Sequence, residues 1–341
     1  MIVIWSPRSE EHQTPPGHPE SPARAKVMGE VVEVWKRRGG EVRAPSVAAL
    51  TQLARVHSLE YLDSIIGTAG RSVALDPDTY TSPETAEIAL LAAGAAIDAV
   101  NYVLEGERRR AFAFVRPPGH HAERHRAMGF CFYNNVAAAA AEARAQGVER
   151  VAIIDYDVHH GNGTQYLFDD DPTVLYISLH QFPAYPGTGA VDEVGTGPGT
   201  GSTVNLPLEA GAGDEDYRLL FSEIVLPILR QFDPGVLLVS AGFDAHAHDP
   251  LADMRVSSEG FGAMTAELRL VAEECADGRV ALVTEGGYNL HALGESLTAA
   301  LEAIGPERAP EPRWPRSSAT PARGQRTAAA ARAVLAQFWQ I

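Results

Sequence analysis

The sequence predicts an α/β fold class: a single domain over residues 1–341, built on a mainly parallel sheet flanked by helices. Apolar, β-branched runs alternate with helical patterns along the chain, which is typical of βαβ units. No internal repeat and no Ser/Gly-rich linker divides the 341 residues. The predicted strands lie at 2–6, 111–116, 151–157, 173–180, 235–242 and 279–287, and the predicted helices at 21–38, 83–105, 134–146, 214–230, 258–275 and 291–303.

Two segments fall outside this alternation. Residues 183–201 form a long loop rich in Gly and Pro, and the C-terminal tail, 305–341, begins with a stretch rich in Pro, Arg and Ala over 305–327. The tail ends in a helical pattern from residue 327 onward. This last helix either docks on the domain or mediates self-association into a homo-oligomer, and the sequence leaves both open.

Composition excludes several classes of function. A formal net charge of −16 disfavours direct binding of nucleic acid and favours cationic substrates. No apolar run comes near the roughly 20 residues of a membrane span, so no membrane is expected. The N-terminus lacks the pattern of a secretory signal, and Cys131 and Cys275 are the only cysteines, which together predict a cytoplasmic protein without a disulfide framework or a thiolate zinc site.

Polar side chains accumulate where four of the predicted strands end. The segments that follow are RPPGHH after 111–115, DYDVHHGNG after 151–154, GFDAHAHDP after 235–241 and EGGYN after 279–284. Because ligands bind at the carboxyl ends of parallel strands, we expect the His, Asp and Tyr residues of these segments to share one rim of the sheet.

The segment DYDVHHGNG has the spacing of a metal site. Asp155, Asp157 and His159 are spaced by two, which places them on one side of an extended chain. Asp244, just beyond another strand, is the best-placed third ligand for Asp157 and His159, and an Asp/His/Asp set leaves a position open for water. On its own, the same spacing is also compatible with aspartates that cap a helix or sit in a solvated loop.

His246 and His248 are rival ligands because they follow Asp244 closely. In the context AHAHDP, we interpret them instead as loop residues that face solvent or the mouth of a substrate site.

Three further side chains fit acid–base and oxyanion chemistry. His120 and His121 follow the stiff, sharply turning RPPG segment, so two imidazoles can enter one pocket, with Asp155 and Asn162 as candidates to orient them. Tyr288, after a glycine pair, is a candidate to stabilise a developing oxyanion. Taken separately, the histidines are also compatible with satisfied core residues, and a GGY segment with a simple turn.

Taken together, the motifs RPPGHH, GFCFYNN, IDYDVHHGNGTQ, SLHQ…YPGTG, SAGFDAH…DPL and EGGYN resemble the histone deacetylase and acetylpolyamine amidohydrolase superfamily over about residues 12–303. The resemblance implies the arginase-like fold, with a mainly parallel, eight-stranded sheet. It also implies a zinc-dependent hydrolase, with iron as the alternative metal in the cell. The implied substrates are acetyl-lysine in peptides or proteins, or acetylated polyamines.

The resemblance also implies a role for each matching residue. Asp157, His159 and Asp244 would bind zinc, His121 would be the general base with His120 as its electrostatic partner, and Tyr288 would polarise the acyl carbonyl. Structural potassium ions would lie against Asp155, Ser178, Leu179 and the carbonyls of Asp157 and His159, and against Phe168, Asp171 and Val174. The substrate tunnel would be lined by Gly129, Phe130, Tyr185, Leu251, Gly286 and Gly287.

Some positions depart from the first class of the superfamily. Asn162 stands in place of an Asp, and EGGY replaces GGGGY, so the chain resembles class II or bacterial amidohydrolase-type members. Asp78 is the candidate for an aspartate that many relatives carry at the rim, although the match around it is loose. Leu251 lacks the acidic charge of the specialised polyamine deacetylase.

Two other functions have distinct sequence marks. A non-catalytic acyl-lysine binding module would be marked by loss of a metal ligand, a tandem histidine or the tyrosine, and all six positions are filled. An arginase-like ureohydrolase with two manganese ions would need a larger set of Asp and His ligands than the sequence offers.

Overall fold

Eight parallel strands form the central sheet of the protein. A computed structural model describes residues 1–105, 109–316 and 319–341; residues 317 and 318, in the predicted Pro-, Arg- and Ala-rich stretch, lie outside the described residues. The strands are β1 (Ile2–Trp5), β2 (Glu41–Arg43), β3 (Ala74–Asp76), β4 (Thr79–Tyr80), β5 (Arg110–Phe114), β6 (Val151–Asp155), β7 (Val174–Gln181), β8 (Thr203–Leu208), β9 (Val236–Ala241) and β10 (Val280–Thr284). The sheet order is β2-β1-β5-β10-β9-β6-β7-β8, and β3 and β4 form a separate hairpin.

The central strands are apolar on both faces because helices cover the sheet on both sides. On β6, Ile154 packs in one core and Ile153 in the other, and both side chains are fully buried. The fold class is confirmed, and each of the six predicted runs contains a strand. The sequence reading missed β2, a three-residue strand at the sheet edge, and β8, in which Asn205 and Pro207 interrupt the apolar pattern.

The helices divide between the two faces of the sheet. They are α1 (Pro22–Arg37), α2 (Leu50–Leu53), α3 (Leu59–Ile66), α4 (Thr85–Leu104), α5 (Asn135–Ala145), α6 (Asn162–Phe168), α7 (Asp214–Leu220), α8 (Leu226–Phe232), α9 (Ser258–Cys275), α10 (Leu290–Ile304) and α11 (Ala322–Leu335). One core contains residues of α1 and α7 to α11, and the other contains residues of α2 to α6. A π-helical turn, Phe221–Val225, joins α7 and α8 into one continuous helix over the predicted 214–230.

Helix α4 corrects the expectation that no apolar run approaches the length of a membrane span. The helix is 20 residues long, and its most apolar window has a mean hydropathy of 1.5. By length and composition alone, it could cross a membrane. In the folded chain, however, 67% of that window is buried inside the protein. The helix packs against α5 and β5, so its hydropathy is explained by its place in the core.

The C-terminal tail docks on the domain. Helix α11 packs on α7 and β8, where Thr327 Oγ1 donates to Pro207 O at 2.6 Å. After the helix, Trp339 Nε1 donates to Gly201 O at 2.9 Å. Of the two alternatives left open by the sequence, docking of the tail on its own domain is therefore the one observed.

Four adjacent strands present the polar motifs at one edge of the sheet. In the order β5-β10-β9-β6, the carboxyl ends lead into the four predicted segments: 116–121, 285–289, 242–250 and 155–163. Parallel pairing holds these ends side by side, as the register of Asp155 with Ser240 and of Thr284 with Ala241 shows. The expected convergence on one rim is therefore observed.

Candidate active site

Three side chains at this rim form a group suited to a metal ion. One ligand atom from each of Asp157, His159 and Asp244 lies within 4.8 Å of the others. His159 Nδ1 is 3.2 Å from both Asp157 Oδ1 and Asp244 Oδ2. Within the described ranges, no second group of three His, Cys, Asp or Glu residues meets this spacing.

The environment of these three side chains favours a bound cation. Both aspartates are fully buried, and Asp244 Oδ2 accepts no well-aligned hydrogen bond among the described residues, although His159 Nδ1 lies 3.2 Å from it. Burial, together with the charge of Asp157, raises the pKa of Asp244 to about 7. Two buried carboxylates with one imidazole leave excess negative charge, which a divalent metal would neutralise. The residues present therefore fit zinc, which takes oxygen and imidazole ligands.

Glycines keep the chain clear of these carboxylates. A Cβ added at Gly286 would lie 2.0 Å from Asp244 Oδ2, and one added at Gly242 would lie 2.1 Å from Asp157 Oδ2. The Gly286 amide instead donates to Asp157 Oδ2 at 2.8 Å. These two backbones can approach the carboxylates only because they carry no side chain.

His120 lies beneath the rim in an acidic environment. Its Nδ1 is 3.0 Å from Asp155 Oδ2, an oxygen that also accepts from the Tyr176 hydroxyl at 3.0 Å. Burial opposes a charged imidazole here, but the carboxylates of Asp155 and Asp157 outweigh it and raise the pKa of His120 to about 10. His120 is thus a buried imidazolium at neutral pH.

His121 has the opposite environment, although it is the next residue and its ring centroid lies 4.0 Å from that of His120. Its Nδ1 is 2.8 Å from Asn162 Oδ1, a neutral partner. Burial and the positive charges of His120 and His159 lower its pKa well below the usual range. His121 is therefore a neutral imidazole, as a general base must be before it accepts a proton.

Tyr288 is held by contacts to its backbone and its ring. Its amide donates to Asp249 Oδ2 at 2.7 Å, and the next residue, Asn289, caps helix α10 by accepting from Ala292 N at 3.0 Å. The Arg24 guanidinium lies 5.0 Å from the ring centroid. Burial raises the pKa of the phenol well above its usual value, so the hydroxyl keeps its proton for donation.

Glu285 connects the loop of Tyr288 to that of the tandem histidines. Its Oε2 accepts from the amides of Gly119 at 2.6 Å and His120 at 3.2 Å, and its Oε1 accepts from Ser240 Oγ at 3.0 Å. Burial raises its pKa to about 7. This carboxyl group fixes the turn from which both imidazoles project.

A cavity of about 220 Å³ opens above the predicted metal site. Of its eight lining residues, three, His121, His159 and Tyr288, come from the predicted chemistry, and the other five were predicted for the tunnel or its rim. At Gly129, an added Cβ would lie 2.4 Å from the His121 ring, so this wall requires glycine. The complete lining is Asp78, His121, Gly129, Phe130, His159, Tyr185, Leu251 and Tyr288.

Other predicted residues lie elsewhere. Gly286 and Gly287 are not among the residues that line the cavity. The Gly286 amide donates a hydrogen bond to Asp157 Oδ2, and Gly287 O accepts one from Arg24 Nε at 2.8 Å. His246 is 94% buried, with Nε2 3.2 Å from Ser258 Oγ, and with His248 it lines a groove between α1 and α10 instead of the cavity. The expectation that they face solvent or the mouth is therefore wrong for His246.

The positions proposed for potassium cluster in two places. Asp155 and Ser178 are partners in the register of β6 with β7, and Leu179 is the next residue of β7. Phe168, Asp171 and Val174 share one turn, in which Asp171 N donates to Phe168 O at 3.0 Å and Val174 N to Asp171 O at 3.3 Å.

The sequence reading missed a buried ionic group behind Tyr288. Arg24 Nη1 donates to Glu20 Oε1 at 3.1 Å, and Arg116 Nε donates to the same oxygen at 2.6 Å. Glu20 and Arg24 lie four residues apart at the start of α1, a spacing that marks an ion pair but not its position against Tyr288. Asp249 and Glu285 were missed as well, although both belong to motifs that were singled out.

Comparisons with known proteins establish the family of the chain. A family model described as the histone deacetylase domain matches residues 18–304. The chain is 40% identical over 291 residues to a probable deacetylase of Archaeoglobus fulgidus, covering 84% of this chain and 81% of that protein. It is 43% identical over 278 residues to a histone deacetylase-like amidohydrolase of Pseudomonas aeruginosa, covering 80% and 73% of the two proteins. The crystal structure of the HDA15 HD domain matches with a TM-score of 0.90 at 35% identity, over 99% of this chain and 97% of that one. The chain belongs to the histone deacetylase family.

Proposed function

We propose that this protein is a zinc-dependent amidohydrolase that removes acetyl-type groups from acylated amines. The observation that carries the proposal is the composition of one cavity. His159 of the predicted metal site, the neutral His121 and the protonated Tyr288 line the same space of about 220 Å³. A narrow cavity with a few convergent polar groups suits an aliphatic stem ending in an amide.

In the proposed mechanism, each of these groups has one task. Zinc bound to Asp157, His159 and Asp244 would activate the attacking water and polarise the acyl carbonyl. His121 Nε2 takes the proton of the water, since Nδ1 is already engaged by Asn162. The Tyr288 hydroxyl donates to the carbonyl oxygen as negative charge develops there. The leaving amine then receives its proton from His121.

His120 supports this reaction without lining the cavity. Its charge is balanced by Asp155, whose carboxylate is 3.0 Å away. The imidazolium contributes to keeping the pKa of His121 low. We assign it an electrostatic role.

Two substrate classes share the chemistry that the cavity accepts: acetyl-lysine in peptides or proteins, and acetylated polyamines. Both present an acetamide on an aliphatic stem and carry positive charge elsewhere. The net charge of −16 and the carboxylate of Asp78 at the opening favour such cationic substrates. We also propose structural potassium at the two clusters described above, where a higher melting temperature in potassium than in sodium would support it.

The proposal is tested with zinc-loaded protein, a fluorogenic acetyl-lysine peptide and an N-acetylated polyamine. We expect release of acetate from at least one class, loss of activity on chelation and recovery when zinc is restored. Replacing Tyr288→Phe removes one oxyanion donor, so kcat is expected to fall about 100- to 1,000-fold.

Tyr133→Phe is the matched control. Tyr133 is buried and its hydroxyl has no hydrogen-bond partner among the described residues, so its loss should leave kcat within about 2-fold. Zinc-loaded protein that hydrolyses no acyl amine would refute the proposal. Binding of an acylated amine without product would favour the non-catalytic module instead.

A further inference from the structure

The amide of Asn162 is bonded on every side. Its Nδ2 donates to Glu123 Oε1 at 2.7 Å and approaches Met128 Sδ at 3.4 Å. Its Oδ1 lies 2.8 Å from His121 Nδ1. Both amino hydrogens thus have acceptors, and the oxygen is left for the histidine.

Only one orientation of this amide satisfies its neighbours. A carboxylate accepts hydrogen bonds and cannot donate them, so turning the amide over would set Asn162 Oδ1 against Glu123 Oε1 across 2.7 Å. With the amino group held by Glu123, the oxygen must face His121. A ring nitrogen opposite an oxygen must carry hydrogen, which leaves Nε2 of His121 free to accept a proton.

The carboxylate itself is held by its backbone. Glu123 N donates to Arg126 O at 2.9 Å, and His57 Nδ1 lies 2.9 Å from Glu123 O. Its side chain is partly buried. The contact to Asn162 therefore comes from a fixed turn.

The two histidines differ in whether a carboxylate contacts the ring directly. His120 contacts the Asp155 carboxylate directly, at 3.0 Å, whereas the amide of Asn162 separates His121 from Glu123. The inserted amide transmits orientation without placing a negative charge against the ring. An imidazole in this arrangement is oriented like a base with a carboxylate partner but is not stabilised as a cation to the same degree.

We propose that Glu123 is a positioning residue for the hydrolysis. By accepting from Asn162 Nδ2 it fixes the amide, and through the amide it holds His121 in the tautomer with hydrogen on Nδ1. This inference rests on the proposed function of His121 as general base.

The test compares Glu123→Ala with Glu123→Gln in zinc-loaded protein, since Gln keeps an acceptor oxygen. Ring ¹⁵N spectra of the histidines report the tautomer, and the signals of His121 are identified by their loss in His121→Gln. We expect protonated Nδ1 and bare Nε2 in the wild type and in Glu123→Gln, and a mixture of tautomers in Glu123→Ala. In activity, kcat is expected to fall about 10- to 100-fold in Glu123→Ala, with KM within about 2-fold, and to be largely retained in Glu123→Gln.

Glu30→Ala, at an exposed position of α1, is the matched control and should change neither readout. An unchanged His121 tautomer in Glu123→Ala would overturn the inference. Because the spectra do not depend on turnover, this result is distinct from failure of the proposed function, in which the wild type is inactive but the tautomer still responds to Glu123.

A second pair of variants covers the case in which Glu123→Ala does not fold. Asn162→Asp sets two carboxylates against each other, and adding Glu123→Gln supplies a donor between them. The double variant is expected to recover kcat about 10-fold over Asn162→Asp, as coupled partners do. No recovery would contradict the proposed link.

Discussion

The floor and the mouth of the cavity are built differently. We define the floor as His121 and His159, which line the cavity, together with His120, Asp157 and Asp244, which adjoin them without lining it. We define the mouth as Asp78, Phe130, Tyr185 and Leu251. Asp157 and Asp244 on the floor are at most 1% exposed, whereas Tyr185 and Leu251 at the mouth are about 40% exposed. Floor side chains are held by hydrogen bonds to neighbours that are themselves buried.

At the mouth, the aromatic side chains contact neighbouring rings. Phe130 packs edge-on against His18 at 4.8 Å, and Tyr185 packs edge-on against His121 at 5.2 Å. Buried polar groups lose much when a partner is removed, and exposed groups lose little. Floor variants should therefore act on kcat with large effects, and mouth variants on KM with small ones.

The largest effect is expected from Asp244→Asn. The variant removes the charge of a proposed metal ligand without changing the size of the side chain. The expected fall in kcat/KM is therefore larger than the fall of about 10- to 100-fold that is typical of residues that only support ligands. Kinetics with zinc-loaded protein, together with the bound zinc measured by mass spectrometry, check this.

A stability measurement separates loss of the ligand from loss of the fold. Burial raises the pKa of Asp244 to about 7 in the folded, metal-free protein, so the ionised carboxylate destabilises the fold above that pH. The lost stability is regained as the pH falls below about 7. At pH 8, metal-free Asp244→Asn should thus unfold at the same or a higher temperature than the wild type. Asp253→Asn, at an exposed residue, should change neither property; a lower melting temperature for metal-free Asp244→Asn would contradict the account.

Glu285→Ala should have an intermediate effect, because Glu285 supports the floor without contacting the cavity. The change leaves the amides of Gly119 and His120 and the Ser240 hydroxyl without their acceptor. We expect the free energy of unfolding to fall by about 2–4 kcal/mol and kcat by about 10- to 100-fold. Denaturant titration and steady-state kinetics measure the two.

Glu285→Gln serves as its control. Gln keeps an acceptor oxygen for the amides and offers a donor in place of the second oxygen, so it should retain more stability and more activity than Ala. If Ala and Gln behaved alike, a geometric role for the carboxyl group would have to be given up.

The same contrast explains how far the sequence could predict the site. The floor arises from short motifs at strand ends: the alternation of Asp155, Asp157 and His159 and the parallel register bring it together, and these are visible in the sequence. Among its supports, Asp155 and Asn162 were predicted, whereas the buried ionic group of Glu20, Arg24 and Arg116 was not, because it joins distant parts of the chain. Arg24 reaches Gly287 across 263 positions, and no local pattern encodes such a contact.

Prediction of the fold from the sequence was limited in a similar way. Strands with continuous apolar runs were found, whereas the short edge strand β2 and the strand β8, which contains Asn205 and Pro207, were not. The hairpin β3–β4, which carries Asp78 between its strands, has only five residues in its two strands. Its position at the mouth depends on tertiary packing, which a local sequence pattern does not encode.

The smallest effect is expected at the mouth, from Asp78→Asn. Burial and the neighbouring Asp76 raise the pKa of Asp78 to about 6. The carboxylate is charged above this pH and is neutralised as the pH falls through it, so its attraction for a cationic substrate is present at pH 7.5 and lost at pH 5. An exposed charge pair contributes about 0.5–1 kcal/mol, so at pH 7.5 the variant should raise KM about 2- to 5-fold with kcat nearly unchanged.

Substrate charge and pH together test this prediction. For a cationic acetyl-lysine peptide, KM of the wild type should rise as the pH falls through about 6, and this rise should be absent in Asp78→Asn. A neutral acyl substrate of the same length should show no such difference between the two proteins. Asp170→Asn, at an exposed residue outside the cavity, controls for the general effect of removing one negative charge. A fall in kcat instead of a rise in KM would place Asp78 with the floor and break the distinction, because a group that acts only on approach of the substrate should not alter the chemical step.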